Sequence, residues 1–237
     1  MRHSLLAIVL LTACLTSASA DDGPLRVLFI GNSLTYYNDL PFMVATMSEH
    51  GDKKIKAGMI AMPNAGLEDL WRDGRVRQQL ATGEWDVLVM QQGPSSLMSS
   101  RKNLVEWSGR FATLARESGT EPALYTVWPS SARRVYLPDV IESYRVAAES
   151  CECKLLAAGA AWKKAWEKSS RLSLYGADGF HPSDDGTYLA ALVIWHGLTG
   201  ESPAAVPDRL TLENGEKVRI KAKRAEVYRD VVRALEE

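Results

Sequence analysis

The chain has 237 residues, of which 46% are apolar and 24% are charged, an ordinary composition for one globular domain with a sizeable core. Its 28 basic and 29 acidic residues give a formal net charge of -1. Such a balance creates no field that attracts nucleic acid or an anionic membrane surface, so neither is expected as a partner.

Residues 1–20 are predicted to be a secretory signal peptide. A basic start precedes a short apolar run and then small residues, the order of a cleaved leader rather than of a spanning helix. Cleavage after Ala20 suits ordinary signal peptidase. Residues 11–14 alternatively resemble a bacterial lipobox, which would confine the leader to residues 1–13 and leave a lipidated Cys14. Both routes predict export to the periplasm or the cell exterior, with membrane attachment only through Cys14.

Short apolar runs then alternate with longer amphipathic segments, which is typical of strands and crossover helices in an α/β layer fold. The predicted strands are 25–30, 55–62, 85–90, 123–127 and 154–158. The predicted helices between them are 41–50, 67–80, 103–117 and 138–149. Because parallel strands need right-handed crossovers, this order predicts a three-layer α/β/α sandwich with a five-stranded, mostly parallel sheet. Functional residues are expected at the carboxyl ends of its strands.

The end of the chain has a different pattern. Apolar residues alternate around Asn214-Gly215, a two-residue hairpin signal, and a helix over 222–235 follows. We therefore divide the exported chain into a main domain, 25–200, and an appendage, 201–237, that packs on it.

Cys151 and Cys153 are separated by one residue. This spacing is a poor frame for a disulfide, and a metal site would need more ligands than its neighbours offer. The pair is predicted to be structurally incidental, and no metal site is expected.

Only four histidines are present, so candidates for a general base can be eliminated. His3 belongs to the leader, His50 ends a predicted helix, and His196 lies inside an apolar helix. His181 remains, in a loop just before a long predicted helix. Asp178 lies three residues earlier, close enough in a turn to accept a hydrogen bond from the imidazole and to fix its orientation.

Two motifs at opposite ends of the chain resemble the blocks of one family. Gly-Asn-Ser-Leu at 31–34 follows the first predicted strand, and Asp178-x-x-His181-Pro182 stands near the end of the main domain. This pair, in this order, is similar to the Gly-Asp-Ser-Leu and Asp-x-x-His blocks of the SGNH, or GDSL-type, hydrolases. The resemblance spans about residues 26–200 and implies a flavodoxin-like fold and ester hydrolysis.

The resemblance implies a role for each matched residue. Ser33 would attack an ester carbonyl, His181 would take its proton and later protonate the leaving alcohol, and Asp178 would orient His181. An unactivated hydroxyl needs such a base within hydrogen-bond reach. The resemblance requires no cofactor and no metal.

The oxyanion donors are harder to assign because the middle blocks depart from the family pattern. The Ser33 backbone N–H and Gly66 are chosen, with Asn64 as an alternative to Gly66. For the third donor, Gln92-Gly93 resembles the Gln-Gly block of sialate O-acetylesterases and acetylxylan esterases. Gln92 is therefore preferred to Gln91 and Ser95, since neighbours at a strand end point oppositely and only one can face Ser33.

Several other residues are weaker candidates. Tyr36, Tyr37 and Trp128 flank strand ends and could stack on a substrate, although aromatic residues at such places more often belong to the core. Arg133 and Arg134 could meet a carboxylate on an acidic substrate, but a solvated basic pair is the simpler interpretation.

These observations predict an exported serine esterase that acts through an acyl-enzyme on a small-molecule or carbohydrate ester, with O-acetyl groups on carbohydrates as the favoured substrate. Two alternatives stay open. The same acyl-enzyme could pass its acyl group to another alcohol, which would make the protein an O-acyltransferase. The fold could also serve as a non-catalytic carbohydrate-binding protein of the cell envelope.

Overall fold

A computed structural model describes residues 23–235 of the protein. At its centre is one five-stranded sheet of order β2-β1-β3-β4-β5 in which every neighbouring pair is parallel. Its strands are β1 (Leu25–Gly31), β2 (Ile55–Ala61), β3 (Val87–Met90), β4 (Glu121–Tyr125) and β5 (Lys154–Leu156). Each of the five predicted strands is confirmed, and so is the α/β fold class.

Helices flank both faces of this sheet. They are α1 (Ser33–Tyr36), α2 (Leu40–Ser48), α3 (Leu67–Asp73), α4 (Arg75–Leu80), α5 (Met98–Glu117), α6 (Leu137–Ser150), α7 (Ala158–Lys168), α8 (Asp184–Thr199) and α9 (Ala222–Arg233). Helix α8 packs between α2 and α7, while α5 packs between α3 and α6. The interior strand β1 is covered on both faces, so Val27 to Ile30 are all apolar and at most 1% exposed.

Two helices differ from the predicted ones at their ends. The single helix predicted over 67–80 is divided into α3 and α4 at Gly74, whose φ of 84° ends α3 in a left-handed cap. Helix α5 begins at Met98 rather than at residue 103, because the Leu97 N–H donates to Ser100 Oγ at 3.2 Å and starts the helix there.

The tail forms a hairpin of β6 (Arg209–Thr211) and β7 (Lys217–Arg219), followed by α9. Its turn has three residues rather than two. The Leu212 N–H donates to the Glu216 carbonyl at 2.8 Å, and Gly215 takes a φ of 87°. The turn residues favour a hairpin at this position, and the left-handed conformation of Gly215 gives its turn three residues. Apolar side chains of the tail join the same hydrophobic core as the main domain.

Two side chains of α9 attach the tail to α8. The Tyr228 hydroxyl donates to Asp185 Oδ1 at 2.8 Å, and Arg224 Nη1 lies 3.1 Å from Asp185 Oδ2. Asp185 is buried in the first turn of α8, directly after the loop that carries His181. The tail is therefore fastened next to a predicted catalytic segment.

Cys151 and Cys153 form a disulfide, so the prediction of an incidental pair is wrong. The intervening Glu152 has a φ of 52°, which curls the chain and brings the two Cα atoms to 5.2 Å. That separation is ordinary for a disulfide. The sequence spacing was misleading because it gave no sign of the left-handed residue.

The predicted leader, including Cys14, lies outside the described residues. Between residues 23 and 235, no helix combines the length and the apolar character needed to cross a membrane.

Candidate active site

The strand order creates a crevice between the carboxyl ends of β1 and β3. In the sheet, β2 lies on one side of β1 and β3 lies on the other. The loops that follow β1 and β3 therefore diverge at this point. Ser33 follows β1, and Gln91 and Gln92 follow β3. The topology therefore brings residues that are about sixty positions apart to one edge of the sheet.

Ser33 occupies the first position of α1 and is 8% exposed. Asn32 caps this helix, since its Oδ1 accepts from the Leu34 N–H at 3.1 Å. Gly31 is needed for close packing: a Cβ there would lie 2.3 Å from Gln91 Oε1 and 2.4 Å from Thr35 Oγ1. Strand β1 can lead directly into the helix of Ser33 only because Gly31, the residue before the Asn32 cap, has no side chain.

Gln91 is completely buried and holds the turn that carries Ser33. Its Oε1 accepts from the Asn32 N–H at 2.9 Å and from Thr35 Oγ1 at 2.7 Å. Its Nε2 donates to Asn32 Oδ1 at 3.1 Å and to the Gln92 carbonyl. Both hydrogens of this amide are thus occupied by the protein itself.

The Asn32 side chain also uses both ends of its amide. Because its Oδ1 accepts from Leu34, its Nδ2 must face the Ala65 carbonyl, to which it donates at 2.9 Å. A carboxylate could not make the second bond. The asparagine in place of the family's aspartate therefore links the Ser33 turn to the loop that follows β2.

The two other predicted oxyanion residues lie side by side next to this loop. Gly66 precedes α3, and its N–H donates to Asp69 Oδ2 at 2.9 Å. Gln92 is 6% exposed, and its Oε1 accepts from the Leu67 N–H at 3.0 Å. Gln92 Nε2 donates to Ser95 Oγ at 3.3 Å. Their contribution to an oxyanion hole remains a prediction.

Tyr144 holds the backbone at the end of β3 and was not singled out from the sequence. Its hydroxyl accepts from the Gln92 N–H at 3.1 Å and donates to the Gln92 carbonyl at 2.5 Å. Burial raises the pKa of this phenol, so it stays protonated and can make both bonds. A tyrosine inside an amphipathic helix pattern resembles ordinary core, and only the tertiary contact shows its role.

Asp178 and His181 are joined as the sequence predicts. Asp178 Oδ2 lies 2.5 Å from His181 Nδ1, and Asp178 Oδ1 accepts from the backbone N–H groups of Phe180 and His181, each at 2.9 Å. The hydrogen bond with His181, followed by that from Phe180, lowers the pKa of Asp178. The carboxylate therefore stays ionised and directs the other ring nitrogen, Nε2, away from itself.

The loop that carries this pair is fixed to the end of β4. Ser131 N–H donates to the Gly179 carbonyl at 2.7 Å, and Trp128 Nε1 donates to the Phe180 carbonyl at 3.2 Å. Trp128 is fully buried and stacks on Trp162 with ring centroids 3.5 Å apart. The prediction that Trp128 contacts substrate is therefore wrong, because its ring has no exposed face.

The segment after Ser33 touches the histidine loop directly. The Tyr37 ring stacks on His181, with centroids 4.4 Å apart and an interplanar angle of 13°. Asn38 Nδ2 donates to the Pro182 carbonyl at 3.1 Å and to Thr187 Oγ1 at 2.8 Å. Tyr37 rather than Tyr36 thus lies against the imidazole, and Asn38 attaches the Ser33 segment to the segment that follows His181.

Neither Ser33 Oγ nor His181 Nε2 has a hydrogen-bond partner among residues 23–235, and Nε2 is buried. In catalytic sites without substrate, hydrogen bonds between the reacting groups are often long, and they tighten only when substrate is present. The arrangement can accept a proton at Nε2 while Asp178 neutralises the resulting imidazolium.

No protein-family model matches the chain, and no curated protein matches it. Solved structures do match. A candidate SGNH hydrolase from Slackia heliotrinireducens is 28% identical over 74% of this chain and 100% of its own, with a TM-score of 0.62. A DUF4886 family protein from Bacteroides uniformis is 18% identical over 90% of this chain and 94% of its own, with a TM-score of 0.71.

A lipase/acylhydrolase from Enterococcus faecalis is 17% identical over 74% of this chain and 95% of its own, with a TM-score of 0.58. Identities this low show a common fold only. These likenesses show that this protein has the SGNH hydrolase fold.

Proposed function

We propose that this protein is an exported serine esterase with Ser33 as its nucleophile, His181 as its general base and Asp178 as the residue that orients the base. One observation carries the proposal: the aspartate–histidine pair leaves a buried, unpartnered Nε2 on a loop that Tyr37 and Asn38 attach to the Ser33 segment. A binding protein has no need for an oriented imidazole with an unpartnered Nε2 on a loop attached to the segment of a serine in a Gly-Asn-Ser-Leu motif.

In the proposed reaction, His181 Nε2 takes the Ser33 hydroxyl proton as Oγ attacks the ester carbonyl carbon. The tetrahedral intermediate then expels the alcohol, which receives that proton from His181. Water attacks the resulting acyl-serine in the same way, and His181 returns the proton to Ser33 as the carboxylic acid leaves. The net change is one ester and one water converted to one acid and one alcohol.

The developing oxyanion needs donors that the protein does not already use. The Ser33 N–H lies in the first turn of α1, where backbone N–H groups lack helical partners. Of the three polar candidates after β3, Gln91 has both amide hydrogens occupied, and Ser95 Oγ donates its only hydrogen to the Gly93 carbonyl at 3.0 Å. Gln92 Nε2 makes one bond and retains a second hydrogen. These facts favour Gln92.

The Gly66 N–H would have to leave Asp69 before it could serve as a further donor, because the two are bonded in this structure. We therefore assign the primary oxyanion donors to Ser33 and Gln92, with Gly66 as an additional donor in the complex.

For the substrate, we propose a small acyl group, acetyl above all, on a carbohydrate alcohol outside the cytoplasm. The predicted leader supports export, either as a free protein or through a lipidated Cys14. The resemblance of Gln92-Gly93 to the Gln-Gly block of carbohydrate O-acetylesterases supports the acetyl group.

Hydrolysis of p-nitrophenyl acetate and butyrate by the purified mature protein tests the proposal. We expect Ser33→Ala and His181→Ala to lower kcat by at least about 10³-fold while circular dichroism shows an intact fold. A higher kcat/KM for acetate than for butyrate would support the acetyl assignment. An inert wild type, or variants that keep its rate, would refute the esterase and favour a non-catalytic binding protein.

A further inference from the structure

A cavity of about 380 Å³ opens beside the catalytic pair, between the loops that follow β3 and β4. Four serines, Arg133 and Phe180 are among the residues that line it; the serines are Ser95, Ser96, Ser100 and Ser130. The mechanism proposed above uses none of these side chains as a reacting group.

The cavity adjoins the reaction centre on two sides. The Phe180 ring contacts the His181 ring edge-on, with centroids 5.1 Å apart. On the other side, Ser95 Oγ accepts the hydrogen bond from Gln92 Nε2 at 3.3 Å. A substrate whose ester carbonyl lies between His181 and Gln92 can therefore extend one of its two parts into this cavity.

Arg133 gives the cavity a positive charge that no acidic residue in its lining balances. No carboxylate lines the cavity, and Arg133 forms no ion pair with the residues between 23 and 235. Its guanidinium instead lies over the Tyr136 ring, 5.4 Å from the centroid. By contrast, Arg145 on the neighbouring α6 pairs with two glutamates. A guanidinium held by an aromatic face keeps its N–H edges available for a planar anion.

The other polar groups of the cavity suit a hydroxylated anion. Serine hydroxyls can both donate to and accept from alcohol groups. The cavity also borders the start of α5, a helix of 20 residues with no acidic residue in its first turn. The unopposed N-terminal dipole adds positive potential on the same side as Arg133.

We propose that this cavity holds the alcohol part of the substrate and that Arg133 selects an alcohol bearing a carboxylate. The substrate class is then an O-acetyl ester of an acidic, polyhydroxylated compound such as a sugar acid. The inference rests on the proposed esterase function and adds a specificity-determining residue to it. Arg133 binds the carboxylate without taking part in bond making or breaking.

Matched ester pairs test this assignment. The probes are 3- and 4-acetoxybenzoate and their neutral methyl esters, which share the acetyl group and differ in charge on the alcohol part. We expect Arg133→Gln to lower kcat/KM for the two carboxylates by about tenfold relative to the methyl esters. Comparing each ratio with that of wild type removes the intrinsic difference in reactivity between the esters. The wild-type preference should also fall as salt is raised to about 0.5 M.

Arg134→Gln is the matched control, because that guanidinium lies 4.9 Å from the Trp166 ring and lines a different cavity. Arg134→Gln should leave the ratio of kcat/KM for the carboxylates to kcat/KM for the methyl esters as it is in wild type. If hydrolysis depends on Ser33 but Arg133→Gln affects both members of each pair equally, the esterase stands and the carboxylate assignment is overturned.

A binding measurement separates the inference from catalysis. Titration of Ser33→Ala protein with glucuronate and with glucose, followed by NMR chemical shifts, should show saturable binding of glucuronate that Arg133→Gln weakens. Equal binding of the two sugars, or binding of neither, would overturn the carboxylate assignment. Loss of ester hydrolysis in the wild type would instead overturn the proposed function.

Discussion

Gln91 and Gln92 are neighbours in sequence but contact different parts of the site. The Gln91 amide is bonded at both ends to the turn that carries Ser33, and Gln92 bridges the start of α3 and Ser95. The first side chain therefore supports the backbone of the Ser33 turn, while the second keeps an amide hydrogen that no residue between 23 and 235 accepts. The structure thus separates a structural glutamine from a candidate oxyanion donor.

Gln92→Glu tests that division. Glutamate keeps an oxygen for the Leu67 N–H but replaces the Nε2 donor with an acceptor, so we expect kcat to fall by about 10²- to 10³-fold. The measurement is p-nitrophenyl acetate turnover together with a thermal melt. Retention of kcat in a folded variant would show that Gln92 is not a donor to the oxyanion.

Gln91→Glu is the matched control for this change. Removing the Gln91 Nε2 donor takes one hydrogen bond each from Asn32 Oδ1 and the Gln92 carbonyl and places a charge in the core. We expect a loss of stability of about 1–3 kcal/mol, read as a lower midpoint in urea. The contrast between the two glutamates distinguishes lost catalysis from lost folding.

The roles of individual residues could be predicted only where the signal is local. Ser33 and the Asp178–His181 pair stand in short motifs, and the structure places that pair in contact. Tyr144 and Gln91 act through partners more than fifty residues away, and the sequence pattern gives no sign of those partners. Trp128 misled for the related reason that an aromatic residue at a strand end can point into either the crevice or the core.

At the scale of elements, the short segment between α1 and α2 positions the two halves of the site. Asn38 and Asp39 have φ values of 51° and 50°, in the left-handed region that costs most residues free energy. The Asn38 side chain offsets that cost by bonding to the Pro182 carbonyl and to Thr187. This strained pair of residues links the Ser33 helix to the His181 loop.

Asn38→Gly tests the link while leaving the backbone geometry accessible, since glycine tolerates positive φ. We expect kcat to fall by about tenfold with little change in KM, because the imidazole is held less well relative to Ser33. Thr187→Val, which removes one of the two acceptors, should give an intermediate effect. Unchanged kcat in both variants would contradict a positioning role for Asn38.

The elements themselves were largely predictable, because strand and helix periods are properties of neighbouring residues. All five strands of the sheet were located, and the order of elements predicted its parallel topology. Three of the failures occur where one residue takes a left-handed conformation: Gly74 divides a helix, Gly215 lengthens a turn and Glu152 closes a disulfide. Hydrophobic periodicity does not report such backbone geometry.

For the whole molecule, the tail contacts both segments that carry the proposed catalytic residues. Asn214 Nδ2 at the hairpin tip donates to Asp39 Oδ2 at 2.7 Å, and α9 bonds to Asp185 at the start of α8. One contact follows Ser33 in the chain and the other follows His181.

Asp185 makes the attachment of the tail pH-dependent. Burial raises the pKa of this carboxyl, and the hydrogen bond from Tyr228 and the charge of Arg224 oppose the rise only in part. A carboxyl group whose pKa is higher in the folded state contributes most to the free energy of unfolding below its unfolded pKa of about 3.9. That contribution is lost as the pH rises through the pKa of the folded state. Wild type should therefore lose stability relative to Asp185→Asn as pH is raised from about 4 to 7.

Urea unfolding of both proteins at the two pH values measures this difference. Asp184→Asn, at the exposed neighbouring position, removes one of the smaller causes of the raised pKa of Asp185 and should therefore keep most of the wild-type change in stability with pH. If the difference in free energy of unfolding between wild type and Asp185→Asn does not change with pH, or changes in the opposite direction, the raised pKa of Asp185 is contradicted.

The central claim is that Ser33 is an activated nucleophile, and covalent labelling tests it most directly. Wild-type protein would be treated with a fluorophosphonate and analysed by intact mass and peptide mapping. We predict one adduct, located on Ser33, absent in Ser33→Ala and formed far more slowly in His181→Ala. An adduct on another serine such as Ser95, or an unlabelled protein that still hydrolyses esters, would contradict the account.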